Sequence, residues 1–242
     1  MIAPPVTMLD PQMVLGAYAV GVFPMADARD ATDVYWVEPR TRAVLPLDGF
    51  HLSRSLRRTI AADRFRVTAD AAFADVLALC AEPAPDRPDT WINAGIERVF
   101  RQLHAMGFAH SVEVWDGDAL VGGLYGLALG RAFFGESMVS RATDASKVAL
   151  AWLVARLRVG GFTLLDCQFQ TAHLASMGAI EIERADYIAS LTRALEGAIG
   201  SSTSPEPPGR FGALDGLRGD GNTVVSGPVS GQDIVQLLVH TS

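Results

Sequence analysis

Between Val148 and Leu157 the chain is almost continuously apolar, as a helix buried on most of its surface requires, and Gly160-Gly161 stops it. Strand-like runs lie on either side. Ala132 to Ser137 is short, apolar and aromatic, and ends in the polar pair Glu136-Ser137. Phe162 to Leu165 begins a second strand that closes on Asp166-Cys167-Gln168. The polar loop Ser140 to Asp144 leads into the helix, with Thr143 or Asp144 placed to cap it. A strand, loop, helix and strand are therefore expected over Arg131 to Gln168.

Earlier in the chain, Asp10-Pro11 starts a helix that carries Val14, Leu15, Tyr18 and Ala19 and ends at Gly21. Phe23-Pro24-Met25 turns the chain, and Tyr35 to Val37 and Arg42 to Leu45 read as short strands. A helix follows over Asp70 to Cys80, with Phe73, Val76, Leu77 and Cys80 inward, then a proline-rich loop from Glu82 to Asp89. Ile96, Val99, Phe100 and Leu103 mark an amphipathic helix ended by Gly107. Ser111 to Trp115, the turn Asp116-Gly117-Asp118 and Ala119 to Leu129 make a hairpin. Gly122, Gly123 and Gly126 in its second strand imply a bulge or a close approach to the backbone.

A short helix at His173 to Gly178, a strand at Ala179 to Glu183 and a helix at Asp186 to Ala198 complete the body. From Gly200 to Gly231, Ser, Pro and Gly dominate, which reads as linker or disorder. Asp233 to His240 is a short apolar segment suited to docking on the body. The pattern is α+β: a small N-terminal α/β domain (1–50), a mixed-sheet domain (51–198) and a tail (199–242).

Composition narrows the function. With 242 residues, 49% of them hydrophobic, a substantial core is available. A net charge of −7 provides no global basic field for nucleic acid, so basic patches must be local. One stands out in SRSLRRTIAADRFR, where Arg54, Arg57 and Arg58 share a helical face. Such a face is more commonly solvated and paired with acids such as Asp63; the alternative is a phosphate-contact patch. Two cysteines outside any metal-like spacing suit a reducing cytoplasm, and five scattered histidines give no metal site. The apolar segment Val14 to Met25 is broken by Gly16, Gly21 and Pro24, so neither a signal peptide nor a membrane span is expected.

The chemistry concentrates at the end of the second strand. Strand alternation sends Asp166 and Gln168 to one face and Cys167, the obvious nucleophile, to the other. Glu136 on the partner strand joins them if the strand ends at a cleft. Because a carboxylate there is costly to desolvate, the set is either hydrogen-bonded scaffolding or a working site. Chemistry alone slightly favours scaffolding.

Longer matches point further. Gly21 to Met25, Trp36 with Pro39, Arg42 to Leu45, His51 to Leu56, Thr90-Trp91-Ile92, His110 to Trp115 and Leu120 to Gly126 run in order with Phe134-Gly135-Glu136-Ser137-Met138, Ser140-Arg141, Ala145-Ser146-Lys147, Asp166-Cys167-Gln168, His173, Ala175 to Ala179 and Glu181-Ile182. Over residues 10 to 198 this resembles the bacterial leucyl/phenylalanyl-tRNA–protein transferases. The tail lies outside the resemblance.

The resemblance implies an N-acetyltransferase-like (GNAT-like) domain behind a small N-terminal one. It implies a cytoplasmic enzyme, monomeric and without cofactor. Leucine or phenylalanine would pass from Leu-tRNA or Phe-tRNA to proteins beginning with Arg or Lys, marking them for degradation. Gln168 would contact the acceptor amine, oriented and polarised by Asp166, while Glu136 binds the acceptor's cationic group. Trp91, Phe133 and Met138 would form the donor slot, Trp36 would stack on the terminal adenine, and Arg54, Arg57 and Arg58 would hold the tRNA backbone. Val37 and Phe134 depart from the family's pattern and would reshape the slot. Two rivals remain open. A CoA-dependent acetyltransferase would want a glycine-rich loop where Ser140 to Asp144 has none, and a non-catalytic RNA-binding module would not need the buried polar set.

Overall fold

The computed structural model describes residues 9–83, 89–196, 208–217 and 229–239. Helices are α1 (Pro11–Ala19), α2 (Arg54–Ala61), α3 (Phe73–Ala81), α4 (Ala94–Ala105), α5 (Ala145–Val159), α6 (Ala172–Ala175), α7 (Arg184–Leu195) and α8 (Gly231–Val239). Strands are β1 (Phe23–Met25), β2 (Tyr35–Val37), β3 (Thr41–Val44), β4 (Arg66–Ala69), β5 (Ala109–Asp116), β6 (Ala119–Leu129), β7 (Ala132–Ser140), β8 (Leu164–Gln168) and β9 (Ile180–Glu183). Short 3₁₀ turns occupy Leu47–Gly49 and Phe211–Gly216.

The α+β expectation holds: a seven-stranded mixed sheet carries helices on both faces, beside a two-stranded antiparallel sheet. The larger sheet runs β4-β5-β6-β7-β8-β3-β9, and its one parallel pair, β7 with β8, is joined through α5. Asp10 caps α1 as read, accepting from the backbone of Gln12 and Met13. Phe23 to Met25 is not a turn but β1, tolerated with Pro24 inside because a two-stranded sheet leaves an open edge. Residues 41–44, inside the N-terminal fifty, enter the larger sheet between β8 and β9.

One face of the sheet packs against α5, which is buried along nearly its whole length. The other face packs against α1, α3, α4 and α7. Asp144 sits at the N-cap of α5 but does not cap it; its φ of 68° is left-handed, and its carboxylate pairs instead with Lys147 Nζ at 3.1 Å. The tail departs from the linker reading. Phe211 and Leu214 are buried against α5, because an aromatic and a leucine inside Phe211–Gly216 find an apolar groove there. Residues 84–88 of the proline-rich loop, 200–207, 218–228 and His240 lie outside the described residues. Among the described residues no helix is long and apolar enough to cross a membrane.

Candidate active site

The site is made by two strands that part. β7 and β8 pair only through Ala132↔Leu164, Phe133↔Leu165 and Phe134↔Asp166. Beyond that, β7 stays with β6 and β8 stays with β3, so a gap opens between them. On the β6 side the register passes from Gly126↔Gly135 to Tyr125↔Ser137 and steps over Glu136. Glu136 is thus the extra residue of a β-bulge, which re-aims its side chain into the gap. The glycine signal in β6 marked this place, since a Cβ on Gly126 would overlap the Phe134 carbonyl and the Phe133 ring.

Asp166 is fully buried at the floor of the gap and is saturated with donors. Arg42 grips it through Nε, 3.0 Å from each carboxylate oxygen, and through Nη2 at 2.7 Å. Tyr187 Oη donates at 2.8 Å and the Gln168 backbone N–H at 2.7 Å. The guanidinium is held between the Phe23 and Tyr187 rings, 4.6 and 4.7 Å from their centroids, and its Nη1 donates to the Gly21 carbonyl at 3.1 Å. A planar, always-charged fork suits this cage as a lysine would not. Gly21, at φ +80°, ends α1 with its carbonyl on Arg42, and a Cβ there would meet the Tyr187 ring.

Gln168 has φ +62°, a left-handed conformation that costs a non-glycine residue about 1–3 kcal/mol. The bond from its backbone N–H to Asp166 offsets that cost, so Asp166 acts on Gln168 through the main chain. The side-chain partner of Gln168 is Glu136: Nε2 donates to Oε1 at 2.9 Å, and Tyr18 Oη donates to the same oxygen at 2.7 Å. With its N–H so committed, Gln168 keeps Oε1 as an acceptor. The carboxylate bonded to this amide is therefore Glu136, whereas the resemblance implied Asp166.

Glu136 is 8% exposed, and its Oε2 is buried without a hydrogen-bond partner among the described residues. Burial pushes its pKa up from 4.5 to about 7, against the bonds from Tyr18 and Gln168; the nearby Asp166 charge raises it further and Arg42 opposes. Arg42 already answers Asp166, so ionised Glu136 has no cation of its own. Burial and then Glu136 also raise Tyr18 well above the usual phenol range.

Over this floor lies a cavity of about 690 Å³. Its apolar wall is Leu124, Met138, Leu150, Leu153 and Leu165, with Trp91 beside it; its polar rim includes Glu136, Gln168, Ser146 and His173. Trp91 and Met138 thus both line the cavity. Phe133 does not: it sits where β7 and β8 are still paired, stacked on Phe211 at 5.6 Å and edge-on to Phe162. Trp36, 38% exposed on β2, is outside the lining, although Met25 of the same small sheet contributes to it. Nothing in the periodicity of the leucines of α5 and β8 tells a cavity wall from a packed interior.

Cys167 lines the cavity, but burial and the Asp166 charge raise its pKa, keeping it a neutral thiol rather than a nucleophile. His173 Nε2 lies 3.5 Å from Ser146 Oγ, and burial followed by the Lys147 charge lowers its pKa, favouring neutral imidazole. Arg42, Tyr18 and Tyr187 were missed as site residues. Arg42 lay within a matched stretch, but nothing local tied it, Tyr18 or Tyr187 to Asp166 or Glu136.

Arg54, Arg57 and Arg58 are exposed on α2, and no ion pair among the described residues engages them. Asp63, the expected counter-charge, instead accepts the Gly231 backbone N–H at 2.6 Å.

Comparison with known proteins gives matches along most of the chain. The family described as leucyl/phenylalanyl-tRNA protein transferase matches residues 44–192, and the N-terminal domain of that family matches residues 7–40. A protein of Rhizorhabdus wittichii named leucyl/phenylalanyl-tRNA–protein transferase is 58% identical, over 97% of this chain and 99% of its own. A protein of the same name from Zymomonas mobilis is 59% identical, over 87% of this chain and 77% of its own. Among solved structures, L-PGS from Bacillus licheniformis is similar over 70% of this chain and 55% of its own, at 10% identity and a TM-score of 0.39. A likeness that weak establishes no shared fold.

Proposed function

The chain belongs to the leucyl/phenylalanyl-tRNA–protein transferases, a family of aminoacyltransferase enzymes, and from that premise we propose that it moves leucine or phenylalanine from aminoacyl-tRNA to proteins whose first residue is Arg or Lys. The observation that carries this is the buried Oε2 of Glu136, without a hydrogen-bond partner among the described residues, beside the carboxamide of Gln168. A site with an uncompensated carboxylate is suited to a cationic guest. Here the guest is the acceptor's N-terminus or its basic side chain.

The donor's side chain occupies the slot of Leu124, Met138, Leu150, Leu153 and Leu165, which offers charged groups no partner. The soft Met138 wall accommodates both Leu and Phe. Trp36 supplies a stacking face for the terminal adenine, and Arg54, Arg57 and Arg58 take the tRNA backbone without reading its sequence.

The acceptor amine, held at Gln168 Oε1, attacks the ester carbonyl. A C–N bond forms, the bond to the ribose oxygen breaks, and the amine's proton is lost as the ribose hydroxyl gains one. The ester is already activated, so positioning and charge stabilisation suffice and no covalent enzyme intermediate forms. Gln168, polarised by Glu136, steadies the positive charge that develops on nitrogen. Asp166 and Arg42 are positioning residues that hold Gln168 in its left-handed conformation. The enzyme works in the cytoplasm as a monomer, and the added residue marks its acceptors for degradation.

The test is transfer of radiolabelled leucine from Leu-tRNA to peptides that differ only in the first residue. Arg- and Lys-initiated peptides are labelled and a Glu-initiated one is not, and Gln168→Ala abolishes labelling while tRNA still binds. Labelling of all three peptides alike would refute the acceptor assignment, and no labelling by folded protein would refute the whole.

A further inference from the structure

The family match ends at residue 192, yet two later segments are fastened to the body at named atoms. The first, 208–217, lies on α5. Arg156, nearly buried, holds the Phe211 carbonyl at 3.1 Å and both oxygens of Asp215 at 2.5 and 2.8 Å. Gly209 and Arg210 donate their backbone N–H groups to the carbonyls of Gly130 and Gly160, and Phe211 stacks on His110.

The second segment is α8. Its first N–H, on Gly231, bonds Asp63 just beyond the end of α2, and near its other end the Leu237 carbonyl accepts from Arg158 Nη1 at 2.7 Å. Arg158 also donates from Nε to the carbonyl of Leu47, on the segment leading into α2. Between these anchors Ile234, Val235 and Leu238 are buried in the same core as Leu56 and Ile60 of α2.

Helix α2 has eight residues, too few to remain helical without packing. It packs chiefly on α8 and only secondarily on α5. Helix α5 in turn carries Leu150 and Leu153 of the donor slot, and Arg156 and Arg158 near its end hold both tail segments. The tail thus ties the helix that displays Arg54, Arg57 and Arg58 to the helix that walls the cavity.

We propose that this C-terminal strap sets where the tRNA backbone is gripped relative to the aminoacyl cavity, by seating α2 against α5. The inference rests on the proposed use of aminoacyl-tRNA. It makes α8 a positioning element for the body of the donor, with no part in the chemistry at its 3′ end.

Two full-length variants test it. In Gly231→Val, a Cβ would overlap the Ile60 carbonyl, unseating the start of α8; Leu238→Asp places a charge in the buried end. Each is assayed with Leu-tRNA and with the 3′ leucyl ester of adenosine, which has no backbone to reach α2. With Leu-tRNA, KM rises about tenfold while kcat stays within about twofold, and the salt dependence of KM flattens. With leucyl-adenosine both variants match wild type. Equal losses on both donors would show that α8 only holds the fold together, and no loss on Leu-tRNA would show that α8 does not seat the arginines. Either result overturns the strap. Wild-type transfer from neither donor would instead overturn the proposed function.

Discussion

Replacing Glu136 with glutamine keeps the shape of the gap and removes a buried ionisation. The new Oε1 still accepts from Tyr18 and Gln168, while the new amide nitrogen takes the place of an oxygen that already lacks a partner. The magnitude follows from the carboxyl's pKa, about 7 when folded against 4.5 when exposed. Because the folded value is the higher, Glu136 favours the folded state fully below about pH 4.5, where both states hold the proton. That contribution is lost as pH rises towards 7, at about 1.4 kcal/mol per pH unit, and beyond it wild type carries a burial penalty of about 3 kcal/mol. The variant has no such slope. In urea unfolding, the stability of Glu136→Gln relative to wild type should therefore improve by about 3 kcal/mol between pH 4.5 and pH 8, with other titrations cancelling in the difference. Transfer to an Arg-initiated peptide moves the opposite way, falling by at least about tenfold at pH 8 because no charge remains for the cation or for Gln168. A stability difference that is flat across this pH range would refute the buried-ion argument. Full activity in the variant would refute its use.

Other consequences can be checked separately. Asp166→Asn leaves Arg42 buried without its counter-charge, so unfolding measurements should show a loss of about 3–5 kcal/mol, with Gln168 released and transfer abolished. Cys167→Ser should keep transfer within about threefold of wild type, since the thiol is neutral and no thioester forms; trapping an acyl-enzyme by rapid quench would contradict this. Arg57→Ala and Arg58→Ala should each reduce the slope of log Kd for tRNA against log salt by about 1, without changing preference among tRNA bodies.

Local pattern carried much of the fold and part of the site. Asp10-Pro11 began α1, the Asp116-Gly117-Asp118 turn joined β5 to β6, and the apolar run after Asp144 was α5 between two parallel strands. These features depend on neighbours within a few residues. Strand β4, four residues beginning at Arg66, was not legible, because what makes it a strand is pairing with β5 more than forty positions away. The place of β3 between β8 and β9 has no local signature either. The same limit applies to the site. Glu136, Asp166 and Gln168 could be singled out by type, but which carboxylate meets the amide depended on a bulge and a left-handed residue that strand alternation does not foresee. The resemblance offered Phe133 and Met138 alike for the donor slot, and only the point where β7 leaves β8 separates core from cavity.

The place of β3 also bears on how the protein is made. Arg42 leaves the ribosome 124 residues before Asp166, and β3 finds its partners only when β8 and β9 have followed. Until then a charged arginine and an unpaired strand stay exposed, and pairings so distant in sequence form slowly. The ion pair beneath the site can therefore close only after β8 is made, and its cage only after Tyr187 has emerged. A chain interrupted anywhere before α7 lacks that cage, and with it the support that holds Asp166 beneath Gln168.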